Sequence, residues 1–400
     1  MKTHHARWLM TDDGWLPDAA VTIDDAGRIA SVESNAQHTG SAPDADLLIP
    51  SMPNAHCHAF QHRIAGLTER ASGAGDSFWT WRERMYEAVA ALDPGTLERA
   101  ATDLYRRMRA QGYGAVAEFH YVHRLGGSAA IETADALVRA ARAARVELLL
   151  LPVLYRRGGF DDAPLSARQQ RFGLTLDAYA RLLETLVARL AASPPPPAAA
   201  AAPGVSEAAP VRVGIAPHSL RAVSAAELSE LLALRASLAP GCPVHIHISE
   251  QVAEVQAARE RLGTTPIDWL CANAPVDRHW TLVHATHATE AELEQARARE
   301  ATVCICTTTE ANLGDGQFKL AKWWSLGGSI SIGSDSNVGI DPREELRWLE
   351  YQERLRLRAR AVLVTATDPH PGSALWRRAV AGGRRSLGLP AAIATAGAPA

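Results

Sequence analysis

The segment VRVGIAPHSLRAVSAAELSELLALRASLAPGCPVHIHISE, residues 211–250, holds one complete folding unit. Val211–Ala216 and Val244–Ile248 are short apolar runs with β-branched residues, and Ala225–Leu238 between them carries a helical pattern. Strand, helix and strand at this spacing read as a parallel pair joined by a crossover helix. Working outward, similar runs occur at Leu47–Ser51, Ala115–Phe119, Val146–Val153, Thr281–His284, Thr302–Cys306 and Ser329–Gly333. Helical patterns at Pro94–Gln111, Ile131–Ala144, Leu176–Ala191 and Glu290–Arg299 separate most of them. Eight buried strands alternating with helices predict an α/β fold, and eight is the number that closes a (β/α)8 TIM barrel. A doubly wound open sheet is the alternative, but no GxGxxG follows an early strand.

The remaining chain is peripheral to that pattern. Ala20–Ile23 and Arg28–Val32, around Asp24-Asp25-Ala26-Gly27, predict a hairpin outside the barrel. The run SPPPPAAAAAPGVSEAAP, Ser193–Pro210, packs poorly as helix or strand and reads as an exposed loop. From about Gly382 the chain is rich in Gly, Ala and Pro, and is expected to fray. The expected units are residues 1–48 (N-terminal β segment), 49–357 (barrel) and 358–400 (a C-terminal helix and tail).

Composition narrows the function classes. Among 400 residues, 47% are hydrophobic and 21% charged, enough for a large core and unlike a disordered chain. A net charge of −3 gives no electrostatic reason to expect nucleic acid or an anionic membrane as partner. Of the 41 basic residues 38 are arginine, which alone says little about function. Five cysteines without CxxC spacing argue against a disulfide framework. With no apolar core of signal-peptide length at the N-terminus and no apolar run of spanning length, the expected compartment is the cytoplasm.

The chemistry-bearing residues cluster at predicted strand ends. In Pro53-Asn54-Ala55-His56-Cys57-His58, two histidines at i and i+2 point to one side, so both rings can reach one ion. Two hydrogen-bonded histidines is the ordinary alternative. Val244-His245-Ile246-His247-Ile248-Ser249-Glu250 repeats the pattern and adds a carboxylate; His284 and His287 close the sixth strand, and Asp335 follows the eighth. Each alone has a plain explanation, with His245 in the core, His287 in a loop and Asp335 as a cap. Together they supply His, His, His and Asp at the barrel face where active sites form.

These residues resemble the amidohydrolase superfamily, in its mononuclear deaminase branch. No lysine follows the fourth strand to bridge a second metal. The finer pattern resembles the formimidoylglutamate deiminase family, through PNAHCHAFQHRIAGLTER, FWTWRERMY, AEFHYVH, IAPHSLRAV, HIHISEQ, LVHATH, TTTEANLGDG and ISIGSDSNVGIDPREELRWLEY. The resemblance spans about residues 50–357. It implies that His56, His58, His247 and Asp335 hold one zinc ion, with iron as the alternative. It further implies that Asp335 accepts the attacking water's proton, His284 orients that water, and Glu250 moves protons to the departing nitrogen. Gln61, Arg82, Tyr121, His218 and Arg221 match the family's substrate-binding positions, and arginine suits a substrate with carboxylates.

The implied reaction is hydrolysis of N-formimidoyl-L-glutamate to N-formyl-L-glutamate and ammonia in histidine degradation, by a homodimer acting on a small molecule. The alternatives are another amidine or a nucleobase-like substrate on the same centre, or a catalytically impaired barrel. The sequence departs from the family at Cys57, where serine is expected, and at Thr307, where proline is frequent. It also lacks a C-terminal pattern like ADLVVLD, which in the family completes a β-sandwich with the N-terminal segment. The N-terminal strands are therefore expected to form an incomplete sandwich, a mobile or poorly packed appendage. The Pro/Ala loop is expected on the barrel's N-terminal face, away from the site.

Overall fold

The structure is a computed structural model that describes residues 1–25, 27–36, 43–69, 77–192 and 209–390. Its first four strands, β1 (Lys2–Thr11), β2 (Gly14–Ile23), β3 (Ile29–Glu33) and β4 (Ala45–Leu48), form one sheet in the order β3-β2-β1-β4. The hairpin expected from residues 20–32 is thus half of a four-stranded sheet.

The barrel follows. Its strands are β5 (Met52–Cys57), β6 (Tyr113–His120), β7 (Glu147–Leu154), the short pair β8 (Val211–Val213) and β9 (Ala216–Pro217), β10 (Val244–Ile248), β11 (Trp280–His284), β12 (Thr302–Ile305) and β13 (Ser329–Ile332). All pair in parallel, β13 returns to β5 through Ile332 and Asn54, and an Ile215–Val244 bridge closes the fourth position onto β10. Nearly every strand residue from β10 to β13 is buried, as expected of parallel strands covered on both faces.

The first barrel strand corrects the sequence reading. Leu47 and Leu48 lie in β4 and pair with Trp8 and Leu9 of β1, so the barrel begins at Met52 rather than within Leu47–Ser51. Two apolar stretches abut here, and hydrophobicity alone does not say which sheet each joins.

The helices are α1 (Phe78–Ala90), α2 (Pro94–Ala110), α3 (Ala130–Ala144), α4 (Leu176–Ala192), α5 (Ala225–Leu238), α6 (Val252–Leu262), α7 (Pro266–Asn273), α8 (Glu290–Ala298), α9 (Thr307–Leu313), α10 (Leu320–Ser325), α11 (Pro342–Leu357) and α12 (Pro371–Ser386). Local chemistry sets several starts: Asp93 accepts from the Thr96 amide at 2.6 Å, and Ser224 with Glu227 forms a reciprocal capping box on α5.

Helix α12 overturns the expected fraying from Gly382 as far as residue 390, and residues 391–400 of that segment lie outside the described residues. Gly382 and Gly383 are buried against the barrel, and a Cβ on Gly382 would lie 1.8 Å from the Ile330 carbonyl oxygen. The end of α12 reaches the start of β10, where His245 Nε2–H donates to the Ser386 carbonyl at 2.8 Å, and Gly388 packs on Pro243. Small residues let this helix lie across the N-terminal mouth of the barrel. Composition suggested a tail, whereas close packing requires those same glycines.

The N-terminal sheet is docked through α12. Trp15 Nε1 donates to Ser373 Oγ at 3.0 Å, and Leu9, Ala19, Val21 and Ile29 form a small core of their own. Trp8 and Leu47, register partners, stay 46% and 58% exposed. Of the expected loop 193–210, all but residues 209 and 210 lie outside the described residues, and so does the expected placement of that loop. No helix among the described residues is long and apolar enough to cross a membrane.

Candidate metal centre and active site

Strands β5, β10 and β13 bring His56, His58, His247 and Asp335 together at the C-terminal mouth. One ligand atom from each lies within 4.8 Å of the others, and all four residues are buried. His56 Nε2 stands 3.1 Å from His58 Nε2 and 3.0 Å from His247 Nε2. Asp335 Oδ1 is 3.2 Å from His58 Nε2 and 3.5 Å from His56 Nε2.

The donor set fits a divalent ion. His58 Nδ1–H donates to the Phe119 carbonyl at 3.0 Å and His247 Nδ1–H to the His218 carbonyl at 3.2 Å. Those bonds leave lone pairs on both Nε2 atoms, aimed at the same space as His56 Nε2. Burial holds His56 down to about 3 and His247 well below its usual value, so these rings stay neutral and ready to ligate. A tetrahedral ion with bonds of ~2.0–2.1 Å separates its donors by roughly 3.3 Å, close to the observed spacings. Burial alone would raise Asp335, but the His56 and His58 rings beside it hold its carboxyl well below the usual range.

Hydrogen bonds behind the cluster latch its loops together. Asn54 Nδ2 donates to Ser334 Oγ at 2.7 Å, and the Ser334 amide donates to Asn54 Oδ1 at 3.1 Å, tying β5 to the segment after β13. Asn337 Nδ2 donates to the carbonyls of His58 and Asp335. Strain concentrates here. Ser249, His284, Asp335 and Asn337 all have positive φ, between 46° and 70°, a conformation that non-glycine residues hold only when their surroundings impose it.

Glu250 and His284 complete the constellation from strand ends β10 and β11. His284 Nε2 lies 4.0 Å from Glu250 Oε1 and 3.9 Å from Asp335 Oδ2. These gaps are too long for direct hydrogen bonds and suit one bridging water. Burial would lower His284, but Glu250, Glu310 and Asp335 outweigh it and raise it well above its usual value.

Beside this centre a cleft is lined by Gln61, Arg82, Tyr121, His218 and Arg221, so the structure brings all five sequence-selected side chains to one place. Gln61 Nε2 donates to the Tyr121 hydroxyl at 2.9 Å, while Gln61 Oε1, Arg82 Nε and Arg221 Nε are buried without a partner among the described residues. Arg82 stacks on Trp79 at 4.5 Å, and Arg221 Nη2 stands 3.9 Å from Glu250 Oε2. Two guanidinium groups with unused donors prepare a site for anionic oxygens.

Sequence reading missed Trp81, Tyr86, Tyr155 and Phe172, aromatic residues that also line the cleft. Trp81 and Tyr86 fall within FWTWRERMY, yet nothing in that pattern separates a cleft aromatic from a core one. Among the weighed alternatives, His245 is the core histidine, His287 Nε2–H donates to the Asp315 carbonyl at 2.9 Å, and Cys57 Sγ faces Asn337 Oδ1 at 3.5 Å.

Comparison with known proteins agrees with the geometry. The amidohydrolase family model matches residues 47–372. The chain is 42% identical to formimidoylglutamate deiminase of Pseudomonas aeruginosa over 98% of its own length and 83% of that protein's. An amidohydrolase structure from Brucella melitensis superposes with a TM-score of 0.89 at 38% identity, over all of this chain and 86% of that one. An adenosine deaminase from Xanthomonas campestris, solved with bound zinc, shares the fold at 21% identity and a TM-score of 0.76, again over all of this chain and 83% of that one. With a family match across most of its length and a relative this similar, the chain belongs to the amidohydrolase family and is a hydrolase of carbon–nitrogen bonds.

Proposed function

We propose that this enzyme hydrolyses N-formimidoyl-L-glutamate to N-formyl-L-glutamate and ammonia, using one zinc ion, as a step of histidine breakdown in the cytoplasm. The observation that carries the substrate is the pair Arg82 and Arg221, whose buried Nε donors lack partners among the described residues, in a cleft beside the ligand cluster. The identity to a curated formimidoylglutamate deiminase supports the same reading.

The proposed ligands are His56, His58, His247 and Asp335. When bound, the ion lowers the pKa of water and supplies a nucleophile near neutral pH. The chain's own groups do the rest. Arg82 and Arg221 grip the carboxylates, with Gln61, Tyr121 and His218 placing the formimidoyl carbon at the space between Glu250, His284 and Asp335. Asp335 takes a proton from the attacking water and His284 orients that water. Glu250 hands protons to the imino nitrogen, so that the carbon–nitrogen bond breaks and ammonia leaves. The balance is one amidine plus one water giving one amide plus one ammonia.

The barrel, residues 49–357 in this reading, carries every proposed site residue. The test compares wild type with Arg221→Met on formimidoylglutamate and on an uncharged formamidine. The expected loss in kcat/KM for the charged substrate corresponds to about 2–5 kcal/mol, with little change for the uncharged one. Equal losses on both would overturn the carboxylate assignment. Turnover of a purine instead would favour the nucleobase reading that the aromatic lining also suits.

A further inference from the structure

A buried trio lies beside the four-residue cluster. His284, Cys306 and Glu310 place one ligand-type atom each within 4.8 Å of the others. His284 Nδ1 is 3.1 Å from Glu310 Oε1, and that oxygen also accepts from the Cys306 amide at 3.0 Å. Glu310 sits on α9 after β12, and its own carbonyl accepts from the Asp315 amide at 2.9 Å. The carboxylate is therefore anchored by backbone on a rigid turn and cannot swing away without losing the Cys306 bond.

The His284 ring is constrained on both edges. A carboxylate at Nδ1 can only accept, so the ring must carry a proton there. The opposite nitrogen then points to the gap between Glu250 and Asp335, about 4 Å from each. His284 also has φ of 70°, so its backbone is strained and the ring needs an anchor to hold its aim.

We propose that Glu310 is a positioning residue: it accepts a hydrogen bond from His284 Nδ1–H and thereby keeps that proton in place and fixes the direction of the opposite nitrogen, which meets the attacking water. The role rests on the hydrolytic reading given above but adds a residue that touches neither substrate nor ligand cluster. Cys306 contributes its amide, so the proposal treats the trio as a hydrogen-bonded brace.

The test is a double-mutant cycle with a spectroscopic arm. Glu310→Gln should lower kcat for ammonia release about 10–100-fold, with KM within about threefold and metal content unchanged, the usual scale for losing the carboxylate behind a catalytic-site histidine. Glu310→Asp should recover part of the loss. In a His284→Asn background, Glu310→Gln should cost less than about twofold more, because the two groups act as one unit. In the ¹⁵N-histidine-labelled chain as purified, His284 Nδ1 should stay protonated at every pH at which the chain is folded, and should lose that proton at alkaline pH in Glu310→Gln. Fully multiplicative losses would overturn the proposal. So would an unprotonated Nδ1 in the wild type, or a second metal equivalent that Glu310→Gln removes. If formimidoylglutamate is not the substrate, no ammonia appears with wild type either, while the ring resonances still decide the Glu310 question.

Discussion

His245 and His247 stand two residues apart on β10, both buried, both facing the barrel axis, and they belong to different chemistry. His245, at the N-terminal mouth, donates to the Ser386 carbonyl at 2.8 Å, and α12 closes over it. His247, at the C-terminal mouth, spends its Nδ1 proton on the His218 carbonyl and turns its bare Nε2 toward His56 at 3.0 Å. Burial lowers the pKa of both, to about 4 for His245 and well below its usual value for His247. Desolvation therefore does not distinguish them. Their Nε2 partners do: that of His245 meets a backbone carbonyl, and that of His247 meets another imidazole nitrogen. The barrel uses one mouth for closure and the other for chemistry.

The widest gap between the two mouths should appear on replacing each histidine. His247→Ala should remove most bound metal and nearly all activity together, whereas His245→Phe should keep the metal and lower only the melting temperature. Full metal occupancy in His247→Ala, read by elemental analysis, would break the comparison.

Next in size is Glu250→Gln. It should retain metal and lose roughly 10²-fold or more in turnover, the scale of a lost acid–base group. Loss of metal along with turnover would move Glu250 among the ligands.

The closure side is sharpened by Gly382→Ala. Alanine favours the helix by about 1 kcal/mol, but its Cβ would meet the Ile330 carbonyl oxygen at 1.8 Å. Overpacking of this kind costs roughly 1–3 kcal/mol, so the clash wins and the melting temperature should fall by about 1–2 °C. The folded fraction should keep its specific activity, because the site is at the other mouth. A more stable Gly382→Ala protein would show that α12 is not pressed against β13.

The smallest effect expected is pH-dependent. Glu345 on α11 is buried, accepts from the Thr308 amide at 3.1 Å and from its hydroxyl, and burial pushes it up to about 8. Its folded pKa exceeds the unfolded value, so the native state binds the extra proton between about pH 4.5 and 8. That contribution to stability is complete below about 4.5 and is lost as pH rises through 8. Glu345→Gln should flatten the fall in melting temperature between pH 6 and 8.5, measured by scanning calorimetry. An unchanged slope would place the titration elsewhere.

The barrel was readable because its signal is local. Predicted helices at Ala225–Leu238 and Leu176–Ala191 match α5 and α4 to within one residue, since periodicity and caps such as Ser224 act over a few positions. The clustered residues were legible because strand ends carried unusual residue types, as in His56-Cys57-His58 and His247-Ile248-Ser249-Glu250. Two boundaries were not. The β4–β5 junction divides one apolar region between two sheets, and Gly382–Gly383 resembles a loose tail until Ile330 and Pro53 are packed against it.

The sequence by itself determined the alternation of strands and helices, the residue types offered at each strand end, and, through its resemblance to a family, their expected roles. Only the tertiary structure decided which of those residues share a mouth. Closing eight strands makes β5, β10 and β13 converge; alternation turns His245 and His247 to the same face, and the two-residue rise along β10 sets them toward opposite mouths. It also decided which carboxylate stands behind His284, because Glu310 lies 26 positions away in sequence and 3.1 Å away in space. Hydrogen bonds are fixed by distance and direction, and neither is carried by residue order alone.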